Sequence, residues 1–189
     1  ILMGESKRQA VYDAIRKEIV KGHQVFIVYP LVEQSENLDL KDATKMAEHL
    51  QKDIFPDDRV GLIHGKMKDK EKDAVMREFL DNQISILVAT TVIEVGIDVP
   101  RASLMVIEHA ECFGLSQLHQ LRGRVGRSER QSYCFLLAEG EEGEALERLA
   151  LFARTPDGFE LAEADLRARG EGQLFGSRQT GLGDLTVAS

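Results

Sequence analysis

The sequence has no tryptophan, only four prolines and only two cysteines among 189 residues. The cysteines, Cys112 and Cys134, form neither a C-x-x-C pair nor a dense framework, which excludes a disulfide scaffold and gives no signal for zinc. We expect both to be buried, reduced thiols of a cytoplasmic protein without a metal site. Long apolar runs are missing as well. None approaches the roughly 20 residues of a membrane helix, so no membrane partner is expected.

Positive charge is in deficit, with 24 Lys and Arg residues against 32 Asp and Glu residues and a formal net charge of −8. Such a chain is repelled by nucleic-acid phosphates at long range, so only local basic patches are expected to bind nucleic acid. The hydrophobic content of 43% is typical of a globular protein. The chain is also long enough to bury a core without disulfides or metals.

Short apolar runs alternate with amphipathic helical patterns along the chain. The predicted strands cover 25–29, 59–63, 84–89, 104–107 and 133–137. Helical spacing of apolar residues predicts helices between them, the third over 69–80. This alternation predicts an α/β domain around a mostly parallel sheet, with ligands at the carboxyl ends of the strands. From residue 157 onward glycines become frequent, which predicts a turn-rich appendage after one more short helix.

The most informative stretch is 120–127, which reads Gln-Leu-Arg-Gly-Arg-Val-Gly-Arg. Arg124 and Arg127 are three residues apart, so on a helical turn they would project from one side. The guanidinium fork suits phosphate oxygens, and the Gln120 amide can donate to a phosphate or orient a water. Such a site neutralises charge that develops on a transferred γ-phosphate. The alternative is a basic surface loop that pairs with the acidic residues downstream.

A second pattern follows the third apolar run, which ends in Thr90 and Thr91. Thr91 and Glu94 form a T-x-x-E capping box, so a helix N-terminus that suits a phosphate is predicted at Thr91. Gly96 and Asp98 follow in a tight return, where the carboxylate could accept a hydrogen bond from a sugar hydroxyl. The alternative is an ordinary capped junction between a strand and a helix.

A third patch, which includes His64 and Lys66, directly follows the second predicted strand. At a strand end these side chains could contact a nucleic-acid backbone. Equally, the lysines of 66–72 alternate with acidic residues as they would on a solvated helix face. Both readings stay open on the sequence alone.

The phosphate loop G-x-x-x-x-G-K-[ST] occurs nowhere in the chain, and no clear acidic pair for magnesium follows a strand. The chain thus has arginines that could complete an ATP site but nothing to hold ATP and its metal. Because it also begins at Ile1, we expect a chain that was processed or cut from something longer.

Three stretches, 25–33, 86–100 and 120–127, resemble motifs IV, V and VI of the second RecA-like domain of superfamily 2 helicases. The resemblance implies a three-layer RecA-like domain over residues 1–150, followed by a second unit over 151–189. It also implies roles for single residues: Arg124 and Arg127 as arginine fingers, Gln120, Gly96 and Asp98 at the nucleotide, and Thr90, Thr91, His64 and Lys66 at DNA.

The C-terminal segment resembles the translocation motif of the RecG family, a helical hairpin and loop shared with the transcription-repair coupling factor Mfd. Arg169 and Gln179 match its key polar positions, and Arg178 lies beside Gln179. In that family the motif links ATP-driven closure of two motor domains to movement along duplex DNA. The Arg-Gln-Thr-Gly-Leu ending at 178–182 is closer to RecG than to Mfd.

The resemblance implies an ATP-dependent helicase that remodels branched DNA, such as stalled forks and Holliday junctions, in recombination and repair. Its partners would be DNA and the other RecA-like domain of the same chain. ATP and Mg²⁺ would be held mainly by that missing N-terminal motor domain, so this piece alone is expected to be inactive. The alternatives are an Mfd-type translocase and a non-catalytic α/β binding module.

Overall fold

A computed structural model describes residues 1–30, 36–90, 99–126, 131–140 and 143–156. Within these residues the chain forms six strands and five α-helices. In chain order the elements are β1 Leu2–Gly4, α1 Arg8–Val20, β2 Gln24–Tyr29, α2 Glu36–His49, β3 Val60–Ile63, α3 Asp69–Leu80, β4 Ile86–Thr90, β5 Ala102–Ile107, α4 Leu115–Arg122, β6 Tyr133–Ala138 and α5 Glu144–Arg154. The predicted third helix, 69–80, is confirmed to the residue. None of the described helices is both long enough and apolar enough to cross a bilayer.

The strands form one sheet in the order β1-β6-β5-β2-β4-β3, and every neighbouring pair is parallel. The predicted parallel α/β architecture is therefore confirmed. The five predicted strands correspond to β2 through β6, and only β1 was missed. With three residues at the sheet edge, β1 is too short to carry a periodic signal.

The core occupies both faces of the sheet, because side chains alternate along each strand. In β2, Val25 and Ile27 point to the face covered by α1 and α2. Phe26 and Val28 point to the opposite face, where α3, α4 and α5 pack. The result is a three-layer arrangement in which β2 is buried at all six positions.

A buried polar cluster fixes the amino end of the sheet, where the register of β2 against β5 shifts at Gln24. The Ser103 hydroxyl, buried in β5, donates to the Glu18 carboxylate at the end of α1. Lys21 Nζ and His23 Nδ1 each lie 2.7 Å from an oxygen of the same carboxylate. Burial by itself would raise the pKa of Glu18, but the hydrogen bonds from Lys21, Ser103 and His23 outweigh it and lower that pKa to about 2.

This cluster predicts a pH-dependent contribution to stability. Because the folded pKa of Glu18 lies below its ordinary value of 4.5, the contribution is complete above pH 4.5 and is lost as the pH falls towards 2. We expect Glu18→Gln to lower the free energy of unfolding by about 2–3 kcal/mol at pH 7, and by much less near pH 2.5. Urea unfolding at both pH values measures this, with the exposed Asp13→Asn on α1 as control. An equal loss at both pH values would contradict the assignment.

The prediction that both cysteines are buried is wrong. Cys112 is exposed because it ends a surface 3-10 turn, and Cys134 is half-buried near the start of β6. Neither cysteine forms a disulfide within the described residues. Burial raises the pKa of Cys134 to about 11, although Arg122 nearby acts in the opposite direction.

Candidate functional site

Arg124 lies in the turn that follows α4, so the helical-turn geometry considered for Arg124 and Arg127 does not apply to it. The helix ends at Arg122 because the chain turns at Gly123, and Gly126 adopts a positive φ of 80°. The turn is held from within: the Arg124 amide donates to the Leu121 carbonyl at 2.9 Å, and Val125 is buried. A well-anchored backbone therefore presents the arginine side chain at the surface.

The Arg124 side chain is partly exposed and has no hydrogen bond or ion pair within the described residues. An always-charged fork without an internal partner is available to an external phosphate. Gln120, in the last turn of α4, is exposed. Arg127 lies outside the described residues.

The side chain of Arg122, two positions earlier, makes several contacts within the domain. Its guanidinium donates to the carbonyl oxygens of Phe152, Thr155 and Pro156 at 3.3, 2.8 and 2.9 Å. It also lies over the Phe152 ring, 4.4 Å from the ring centroid. The sequence pattern singled out Arg124 and Arg127, but it gave no sign of the role of Arg122, because its partners lie some 30 positions away.

His64 and Thr90 lie at adjacent strand ends. Ile63 of β3 pairs with Ala89 of β4, and each of the two polar residues comes next in its chain. Thr90 is fully buried, and within the described residues neither its Oγ1 nor the buried Nδ1 of His64 has a hydrogen-bond partner. Because buried polar atoms are rarely left unpaired, these two atoms distinguish the ends of β3 and β4 from the other strand ends.

Electrostatics at this edge keep the imidazole neutral. Burial, followed by the positive charge of Lys72, lowers the pKa of His64 below its usual value of 6.5. A neutral ring can donate one hydrogen bond and accept another. Lys66, two residues on, is exposed.

The two sequence interpretations of this patch apply to different residues. Lys68 and Lys70 are exposed, and the Lys68 amide is capped by Glu71 Oε2 at 2.9 Å at the start of α3. The solvated-helix interpretation therefore describes these lysines. His64 differs from them, since it is half-buried at the strand end.

A cleft lies at the carboxyl ends of β2 and β5, where the parallel sheet predicts ligands, but none of its residues was among the predicted site residues. After β2 the chain passes through α2 towards one edge of the sheet, and after β5 it passes through α4 towards the other edge. The connections therefore diverge between β2 and β5, and open α/β sheets bind ligands in the crevice at such a point. The cleft has a volume of about 340 Å³ and lies beside Tyr29 and His109. Arg8 and the buried Glu108 form a bidentate pair there, at 2.8 and 2.9 Å. Because these partners are 100 residues apart, no local pattern could have indicated them.

The turn at 123–126 that carries Arg124 (the arginine turn) and the carboxyl ends of β3 and β4 are separate regions. α4 starts after the carboxyl end of β5 and has eight residues, or about 12 Å, so it carries Arg124 back along the sheet. Arg122 lies close enough to Cys134, near the start of β6, to affect the pKa of its thiol.

Several predicted site residues lie outside the described residues. They are Thr91, Gly96, Asp98, Arg127, Arg169, Arg178 and Gln179. In the part of the chain that is described, no three His, Cys, Asp or Glu side chains are grouped so as to hold a metal ion.

Comparison with known families decides the class of this domain. The helicase conserved C-terminal domain family matches residues 6–129. The chain belongs to this family. A helicase domain of this kind accounts for both the parallel three-layer fold and the arginine-rich turn after α4.

The most similar relatives include RecG helicases. The chain is 54% identical over 178 residues to the ATP-dependent DNA helicase RecG of Thermotoga maritima, covering 94% of this chain and 23% of that protein. It is 53% identical over 189 residues to RecG of Aquifex aeolicus, covering 98% and 24%. The resemblance to RecG is therefore confirmed, while the helicase domain spans about a quarter of the length of these relatives.

Solved structures agree with the fold. RecG bound to a three-way DNA junction matches with a TM-score of 0.76 and 50% identity, over 92% of this chain and 22% of that one. Domain 2 of the DEAD-box helicase Mss116p, bound to an RNA duplex, matches with a TM-score of 0.61 at 19% identity, over 78% and 57%. The predicted RecA-like fold is confirmed.

Proposed function

We propose that this chain is the second motor domain of a RecG-like ATP-dependent DNA helicase that remodels branched DNA. The observation that carries the proposal is the arginine turn after α4, where Arg124 has no partner within the described residues while Arg122 is fully engaged. The identity to RecG helicases over most of the chain supports it.

In this proposal ATP lies between the domain and a phosphate-loop domain of the same protein. Arg124 and Arg127 contact the γ-phosphate and stabilise the charge that develops during its transfer. Gln120, Gly96 and Asp98 add nucleotide contacts. Because the described residues offer no metal cluster, Mg²⁺ is assigned to the other domain.

The nucleotide controls the arrangement of the two domains through differential affinity. ATP binds the closed arrangement more tightly because only there can the arginines reach the γ-phosphate, and hydrolysis removes that contact. Arg169, Arg178 and Gln179 in 151–189 would convert closure into movement along DNA.

DNA is proposed to contact the ends of β3 and β4. The unpaired Thr90 Oγ1 and His64 Nδ1 would bind backbone phosphates or bridging waters, with Thr91 and Lys66 beside them. Contacts of this kind position the DNA without reading its sequence. One lysine and neutral side chains suit a domain with a net charge of −8.

The test is ATP hydrolysis by the complete helicase, meaning the polypeptide in which this chain accompanies its phosphate-loop domain. We expect hydrolysis that is stimulated by three-way junction DNA, and none above background from the 189-residue chain alone. Stimulation by plain duplex equal to that by junctions would favour an Mfd-type translocase. A complete protein without ATPase activity would favour a non-catalytic binding module.

A further inference from the structure

The contacts of Arg122 join two parts of the domain that the proposed reaction uses separately. On one side Arg122 is the last residue of α4, between Gln120 and Arg124. On the other side its three carbonyl acceptors belong to the last turn of α5 and the two residues after it, Thr155 and Pro156. The chain then continues directly into 157–189.

The chemistry of this contact is specific to arginine. The final carbonyls of a helix lack partners within the helix and carry the negative end of its dipole, so they attract a cation. One guanidinium bonds one of them, the Phe152 carbonyl, together with the carbonyls of Thr155 and Pro156 just beyond the helix. It also lies over the Phe152 ring and approaches His119 Nδ1 at 3.1 Å. A lysine ammonium has neither the planar fork nor the stacking face.

The residues that Arg122 holds at the end of α5 differ in exposure. Thr155 is buried and its amide donates to Leu151 at 3.0 Å, whereas Arg154 and Pro156 are exposed. Arg122 supplies side-chain hydrogen bonds to the carbonyls of both Thr155 and Pro156. Arg122, which belongs to the arginine-rich stretch 120–127 (the arginine motif), thus holds the backbone in place at the end of α5.

We propose that Arg122 is a positioning residue that holds the Arg124 turn and residues 154–156 at the end of α5 as one unit. A displacement of the Arg124 turn on ATP binding would then reach residues 154–156, from which the chain continues to Arg169 and Gln179. This inference rests on the proposed function, and it assigns the link to one side chain whose described contacts are internal to the domain.

The first measurement uses the 189-residue chain, whose described residues form a core of their own. Trypsin cleavage after Arg154 requires residues 154–156 to leave the surface, so Arg122→Gln and Arg122→Lys should both accelerate it about tenfold. Arg77→Gln, an exposed change on α3, is the matched control and should leave the rate unaltered. Unchanged cleavage in both Arg122 variants would overturn the proposed restraint.

The second measurement uses the complete helicase. We expect both Arg122 variants to unwind about tenfold fewer junctions per ATP hydrolysed, with kcat and KM for ATP close to wild type. Parallel losses of hydrolysis, unwinding and Tm would assign Arg122 a structural role alone and overturn the proposal. If Arg122→Gln does not fold, Arg122→Lys decides. Absence of DNA-stimulated hydrolysis in the wild type would instead refute the proposed function.

Discussion

Replacing Arg124 with glutamine in the complete helicase is expected to lower kcat for DNA-stimulated ATP hydrolysis by at least about 10³-fold. The side chain has no internal partner within the described residues, so its removal leaves no buried group unpaired and the fold should be unaffected. Because the phosphate-loop domain holds most of the nucleotide, ATP affinity should change far less than turnover. Steady-state hydrolysis and equilibrium binding of a fluorescent ATP analogue measure the two effects separately.

Matched variants sharpen this test. Arg124→Lys keeps the charge but not the planar fork, and should recover only part of the rate. Arg77→Gln removes an exposed arginine from α3 and should have no effect. Loss of ATP binding with normal turnover of the bound fraction would contradict the finger role. A large fall in Tm would show instead that Arg124 supports the turn.

Gln179→Ala is expected to separate ATP hydrolysis from DNA unwinding. The variant should hydrolyse ATP at close to the wild-type rate with junction DNA, while unwinding of the junction falls about 100-fold. The physical reason is that the change lies outside the arginine motif, so the γ-phosphate contacts stay intact while the step that transmits closure to DNA is lost. Parallel assays of phosphate release and strand separation on the same three-way junction give the ratio.

Gln173→Ala, a change of the same type in the same segment, is the control for Gln179→Ala. If hydrolysis and unwinding are both untouched by Gln179→Ala, the resemblance of 151–189 to the translocation motif is misleading. The helicase assignment would then depend on the arginine motif and the fold. If both activities are lost together, Gln179 acts in the motor itself.

The elements that sequence predicts well are those whose burial follows from local pattern. β2 is apolar on both faces because it lies in the middle of a parallel sheet. α3 was predicted over 69–80 because apolar residues recur at helical spacing over that range. β1 was not predicted because three residues are too few to show the alternating pattern of a strand. Its pairing with β6 depends on a contact across almost the entire described chain.

The site illustrates a different limit. The sequence pattern and the family resemblance select Arg124 and Arg127 as phosphate contacts, but nothing local shows that Arg122, which has the same chemistry, is held inside the domain. Arg122 is held inside the domain by contacts with Phe152, Thr155 and Pro156, which only the fold brings close to it. The bidentate pair of Arg8 and Glu108 is hidden for the same reason.

The pairing of β1 with β6 has a consequence for biosynthesis. Leu2 and Met3 lie beside Leu136 and Leu137, so the first strand of this domain to be synthesised can form its hydrogen bonds only after the last one, β6, has been made. β2, β3, β4 and β5 can assemble earlier, since their partners lie closer along the chain. Contacts of such long sequence separation close slowly. A nascent chain that stalls before residue 138 therefore carries an unpaired edge on β5, where chaperones or aggregation would act first.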